Sequence, residues 1–160
     1  MSTRTGGARV SGADFLLDRL REEVARATRH NLPLACVLFR VKPRDEGEDA
    51  SQCERLAHAA TVLARCLVRH SDIVASLGCG RFGVVANTTH DGARILADAL
   101  ARDLEDFEFL QQGERLAFEL TYGISCLGNG KTPLSLLEEA RQALGKGQAW
   151  TPDPGEPGGG

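Results

Sequence analysis

The chain has 160 residues, 42% of them hydrophobic and 26% charged, with a formal net charge of −3. That length suits a single domain with a core of its own, and the lack of a basic excess excludes non-specific binding to a nucleic-acid polymer. No apolar run approaches the ~18 residues of a membrane span, and Met1–Gly7 lacks the apolar stretch of a signal peptide, so a cytoplasmic protein without membrane insertion is expected.

Residues 1–11 read as a flexible lead-in, 12–149 as one domain and 150–160 as a disordered tail rich in proline and glycine. From Asp14 a helical period begins, with Phe15, Leu16, Leu20, Val24 and Ala27 on one face and charged residues opposite. Ser11 is its N-cap candidate, and Asp14 completes an imperfect capping box. The helix should stop near His30-Asn31, ahead of Pro33. Leu34–Phe39 is a continuous apolar run, as a central strand buried on both faces requires, and Arg40-Val41-Lys42 ends it.

Pro43–Asp49 reads as an acidic loop, and Ser51 to about Val68 as a second helix. Ile73–Leu77 and Phe82–Ala86 are two uncharged strands joined through Gly78-Cys79-Gly80, a tight hairpin in which glycine reaches positive φ without steric cost. Asn87-Thr88-Thr89 closes the second strand and can cap a helix from His90 to about Leu104. Phe107–Leu110 and Arg115–Leu127 are expected to form a second hairpin through Gln111–Glu114. Thr132, with Pro133 at the first helical position, opens a last helix ending near Gly145. The order predicts an α/β (α+β) fold with a palm-like or ferredoxin-like β-α-β-β-α-β core and one extra helix at each end, a topology that says little about function.

Five cysteines occur without a CxxC pair. Cys36, Cys66 and Cys126 lie in apolar runs and read as small hydrophobes in a reducing setting. The four histidines are scattered, and Asp45–Asp49 lacks the spacing of a Ca²⁺ loop, so no metal and no cofactor is expected. Cys79, beside Arg81, is either an incidental turn residue or a thiol activated by its neighbour. Trp150 either covers the last helix or marks a partner contact.

Around the hairpin the chain resembles the GGDEF domain, the catalytic module of diguanylate cyclases, which condense two GTP molecules into cyclic di-GMP. The family signature is Arg-x-x-Asp, five residues, then Gly-Gly-Asp/Glu-Glu-Phe. Here Arg69-His70-Ser71-Asp72 is followed by Ile73–Leu77 and then by Gly78-Cys79-Gly80-Arg81-Phe82. Element order agrees from about residue 12 to 148, and Thr121-Tyr122-Gly123-Ile124 is similar to the family's Thr/Val-x-Ser-x-Gly strand.

The departures are as specific as the match. In active members the two acidic residues of the turn hold Mg²⁺ and activate the attacking 3′-hydroxyl, chemistry that phosphoryl transfer needs. Gly80 and Arg81 stand there, and a guanidinium neither binds a cation nor acts as a base near neutral pH. Arg40 and Lys42 align with the family's Asp-x-Asp, no guanine-reading Asn and Asp follow, and Gln148 replaces the triphosphate lysine. The resemblance therefore implies a GGDEF domain whose catalytic motif is lost, with no catalytic residue and no metal ligand.

Arg69 and Asp72 survive, the only Arg-x-x-Asp in the chain. In the family this pair is the inhibitory site that binds cyclic di-GMP. An arginine can donate two bonds to guanine O6 and N7, and a carboxylate can accept from the Watson–Crick edge. A second arginine often comes from the following helix, and Arg102 is assigned that role here. The plain alternative is a helix-end cation favoured by the dipole and an aspartate that begins a strand. The expected function is a cyclic di-GMP receptor acting on a protein partner in a signalling or exopolysaccharide pathway, as a homodimer or paired with another GGDEF domain. The alternative is a nucleotide-independent interaction module, with residual cyclase activity a remote third.

Overall fold

A computed structural model describes residues 12–43, 50–112, 118–128, 130–146 and 148–150. The acidic loop at 44–49, the lead-in and the tail from 151 lie outside these residues.

Four helices and five strands follow in the order α1 (Gly12–His30), β1 (Ala35–Pro43), α2 (Ala50–Leu67), β2 (Ile73–Gly78), β3 (Arg81–Ala86), α3 (His90–Gln112), β4 (Phe118–Cys126), α4 (Pro133–Gly145) and β5 (Gln148–Trp150). The strands form one sheet in the order β2-β3-β1-β4-β5, with every neighbouring pair antiparallel. β1 lies at the centre, as its uninterrupted apolar run requires. Its alternate residues divide between two cores. Ala35, Val37, Phe39 and Val41 face α2 and α3, whereas Cys36 and Leu38 face α1 and α4. The palm-like α/β fold expected from the sequence is the one observed.

Local chemistry sets the element ends. Asn31 has φ 55°, and Asn31 N–H and Leu32 N–H donate to the Thr28 and Ala27 carbonyls, the two bonds of a Schellman cap. Thr132 and Ser135 exchange backbone N–H to hydroxyl bonds of 3.0 and 2.9 Å at the start of α4, a reciprocal capping box. Buried Ser125 Oγ donates to the Leu136 carbonyl at 2.6 Å and ties α4 to β4. Gly123 lets that helix approach, since a Cβ there would stand 2.2 Å from Leu144 N.

Three expectations are corrected. Phe107–Leu110 is not a strand, because α3 continues to Gln112. Its buried Ala93, Ala97, Leu100, Ala101 and Leu104 make a helical stripe that no glycine or proline interrupts before Gly113. β1 runs on through Arg40 and Lys42 to Pro43, because β4 offers partners along its whole length. Trp150, placed at the start of the tail, is the last residue of β5, which pairs with Leu120–Tyr122 of β4. Three residues are too few for a periodic signal.

Candidate functional site

Arg69 and Asp72 lie in the connection between α2 and β2, which closes with Asp72 N–H donating to the Arg69 carbonyl at 3.0 Å. The Asp72 carboxylate accepts the Arg69 backbone N–H at 3.0 Å on Oδ2 and the Asn87 N–H at 3.4 Å on Oδ1. Arg69 Nη1 donates to the Asn87 carbonyl at 3.3 Å. Asn87 is the hub of this corner: its side chain also donates to the Pro33 carbonyl and accepts from Arg26 Nη2 at 2.7 Å. The Arg-x-x-Asp pair is thus fixed by the backbone at the end of β3. A carboxylate has about four acceptor positions and a guanidinium five N–H donors, so each group keeps bonding capacity for a ligand.

The pair forms a ridge between two clefts. One, of about 330 Å³, has an apolar wall of Leu67, Ile95 and Leu96 and a polar rim of Arg69, Asp72 and Asn87. The other, of about 660 Å³, is bordered by Arg19, Arg26, Arg65 and Arg69. Ile95 is 70% exposed in the first cleft. Arg102 lies outside the residues that line either cleft and pairs with Asp98 on its own helix at 3.2 Å. The sequence reading missed Asn87 and Arg65. Arg65 was detectable, since it stands in the last turn of α2, four residues before Arg69 in the sequence; the contacts of Asn87 join segments distant in sequence, and no local pattern announces them.

The hairpin turn sits at the other end of β2 and β3. Its two central residues, Cys79 and Gly80, have φ of 54° and 75°, as in a type I′ turn. Glu54 Oε2 accepts the Cys79 N–H at 2.6 Å, and Val41 N–H donates to the Gly80 carbonyl at 2.8 Å. A Cβ at Gly80 would stand 2.7 Å from the Val41 carbonyl oxygen, so this turn accommodates no side chain there. Phe82 is fully buried and stacks on Phe39, with centroids 4.8 Å apart. Beside the turn lies a cleft of about 560 Å³ lined by Arg40, Cys79, Arg81, Thr121 and Arg141.

This architecture can be set beside known proteins. The family model described as diguanylate cyclase, GGDEF domain, matches residues 9–149. The chain belongs to the GGDEF family. Among solved structures, the active GGEEF domain of a diguanylate cyclase from Vibrio cholerae is 22% identical, with a TM-score of 0.67 over 82% of this chain and 86% of that one. The GGDEF domain of YfiN (TpbB) from Pseudomonas aeruginosa is 26% identical, with a TM-score of 0.61 over 82% and 86%. The GGDEF domain of DgcB from Caulobacter crescentus, solved in complex with c-di-GMP, is 14% identical, with a TM-score of 0.68 over 91% and 92%. No curated protein sequence matches the chain.

The Mg²⁺ that the family's cyclase reaction uses does not suit the residues at this turn. Gly80 has no side-chain ligand, its carbonyl already accepts the Val41 N–H, and Arg40 and Arg81, Cα partners across β1 and β3, bring two positive charges to the place. Among the described residues no group of three or more metal-ligating side chains occurs.

Proposed function

We propose that this GGDEF domain performs no cyclase chemistry and instead binds cyclic di-GMP at Arg69 and Asp72. One observation carries the proposal: hydrogen bonds to backbone groups hold both side chains, Asp72 through the Arg69 and Asn87 N–H groups and Arg69 through the Asn87 carbonyl, on one rim of a cleft of about 330 Å³. That volume is at the lower end of the ~300–1,000 Å³ range of small-molecule sites. It suits one guanine base better than a whole cyclic dinucleotide. Asp72 would accept from guanine N1–H and N2–H₂, and the Arg69 fork would donate to O6 and N7 of a second guanine or stack on its plane. The arginines of the neighbouring cleft would face the phosphates. Loss of turnover follows from Gly80, Arg81 and Arg40, which supply neither a metal ligand nor a base.

A calorimetric titration of the protein with cyclic di-GMP, beside Arg69→Ala, tests this. Binding by the wild type and at least tenfold weaker binding by the variant are expected. No binding by the wild type, or formation of cyclic di-GMP from GTP and Mg²⁺, overturns it.

A second reading has its own support. Asp72 and Arg69 already satisfy the Asn87 backbone, so the pair can serve the fold alone. Ile95, 70% exposed, and Leu67, 37% exposed, would then belong to a protein-contact surface independent of nucleotide. A partner that co-purifies equally with wild type and Arg69→Ala, with no cyclic di-GMP bound, favours this reading.

A further inference from the structure

Asn87 directly follows β3, and each of its polar groups is bonded at this corner. Its side-chain Oδ1 accepts from Arg26 Nη2 of α1 at 2.7 Å, and its Nδ2 donates to the Pro33 carbonyl in the α1–β1 connection at 3.1 Å. An arginine only donates and a carbonyl only accepts, so the amide has one orientation. Arg26 is itself fixed, since its Nε donates at 3.2 Å to Glu23, whose side chain is only 12% exposed. The backbone N–H and carbonyl of Asn87 serve Asp72 and Arg69 at 3.4 and 3.3 Å. Both distances exceed the usual range of about 2.7–3.2 Å, whereas the bond from Arg26 is short and charge-assisted. The firm end of this chain of bonds is therefore on α1, and the loose end is at the ligand pair.

We infer that Asn87 is a positioning residue for the Arg69–Asp72 pair, and that α1, acting through Arg26, sets how tightly the pair takes its ligand. The inference rests on ligand binding at Arg69 and Asp72. Any residue except proline supplies the backbone N–H and carbonyl that Asp72 and Arg69 use. The asparagine side chain adds what they lack, an acceptor for α1 and a donor for Pro33. Alanine would lose both, and aspartate would keep only the acceptor. Contact groups bind best when a supporting layer of hydrogen bonds locks them beforehand. An asparagine that served the fold alone would leave the pair as it is and lower global stability. Arg26 also borders the larger cleft. A direct contact of Arg26 with a phosphate would act independently of Asn87, and a double-variant cycle separates the two routes.

Calorimetric titration with cyclic di-GMP of the wild type, Asn87→Ala, Arg26→Ala and the double variant reads the ligand. Amide hydrogen exchange by NMR on the same proteins without ligand reads the corner. Each single variant should bind about 3–10-fold more weakly, as for one or two net hydrogen bonds. The double variant should match Asn87→Ala within about twofold. Without ligand, the Arg69 and Asn87 N–H groups, both donated to Asp72, should exchange about 3–10-fold faster in all three variants. A role in the fold alone would instead speed only the central amides of β1, which open with the whole domain. Unchanged exchange of the two corner groups in both single variants overturns the inference, as does wild-type affinity in Asn87→Ala. Losses that multiply in the double variant mean that Arg26 meets the ligand itself, and they overturn the role of α1. If the wild type binds no cyclic di-GMP, the receptor reading falls and the affinity half of the inference falls with it; the exchange rates then decide whether Asn87 positions the pair.

Discussion

Arg69 is held by the fold through its bonds to Asp72 and Asn87, and in the proposal above it also contacts the ligand. Arg69→Lys separates the roles. A lysine retains the positive charge at the end of α2 but loses the planar fork. A bidentate arginine–guanine contact is worth about 1–3 kcal/mol, so cyclic di-GMP binding should weaken roughly 10–100-fold while the unfolding temperature stays near that of wild type. Isothermal calorimetry and thermal unfolding on the same preparation check both halves. Asp72→Ala should do more, since it strips the acceptor from the Arg69 and Asn87 N–H groups. A loss of about 1–3 kcal/mol in urea unfolding is expected. Cys36 supplies a pH signature of the core. Burial pushes its thiol from 9.0 up to about 12. Below about pH 9 both folded and unfolded states hold the proton and the group is silent. Above it the unfolded thiol ionises and the folded one does not, so stability falls with pH by up to about 1.4 kcal/mol per unit until the folded thiol titrates. Urea midpoints at about pH 8 and about pH 10.5 should show a steeper fall for wild type than for Cys36→Ala. Equal falls would mean that the thiol is solvated.

At the scale of elements, what could be read from the sequence followed the strength of local pattern. The Leu34–Phe39 run, the stripes of α1 and α2, the Cys79-Gly80 turn and the Thr132-Pro133 helix start carry their signals within a few residues, and each element forms there, although Phe15 on α1 and Cys66 and Leu67 on α2, expected on apolar faces, stand exposed. The C-terminal part of α3 was misread because Phe107-Glu108-Phe109-Leu110 has strand-forming residues, although no breaker separates it from the stripe ending at Leu104. β5 was invisible because it is specified by the open edge of β4 and not by its own composition. In the candidate site the Arg-x-x-Asp spacing was legible; Asn87 and the meeting of Arg40, Arg81 and Arg141 were not, since pairing register and packing of α4 create them. α4 depends on one residue in β4. Gly123→Ala would place a Cβ 2.2 Å from Leu144 N and 2.5 Å from the Ala140 carbonyl oxygen. Backbone cannot yield as a flexible side chain does, so a loss of about 1–3 kcal/mol or more is expected in denaturant unfolding. An unchanged midpoint would mean that α4 is not seated on β4 as closely as described.

For the molecule as a whole, the β2–β3 hairpin joins two clefts of different lining. The Arg69–Asp72 corner stands at one end and the Cys79-Gly80 turn at the other, roughly 20 Å apart at ~3.3 Å per strand residue. A net charge of −3 conceals two arginine-lined surfaces, in which Arg19, Arg26 and Arg141 are each paired with a neighbouring glutamate. Whether the ends communicate depends on the element between them. Coupling needs a connection with two discrete arrangements that both ends bias. Val74, Phe82 and Val84 pack under α2 and α3, while Ile73, Ala75 and Val85 pack under α1 and α4. Held on both faces, the hairpin has one close-packed arrangement. Effects at sites farther apart than about 10 Å without shared partners add. Asp72→Ala at one end and Gly80→Ala at the other, where a Cβ would stand 2.7 Å from the Val41 carbonyl oxygen, should therefore lower stability by amounts that sum in the double variant. Urea unfolding of the wild type, the two single variants and the double variant measures this directly. A combined loss that departs from the sum by more than about 0.5 kcal/mol would show that the hairpin has a second arrangement, biased from both ends.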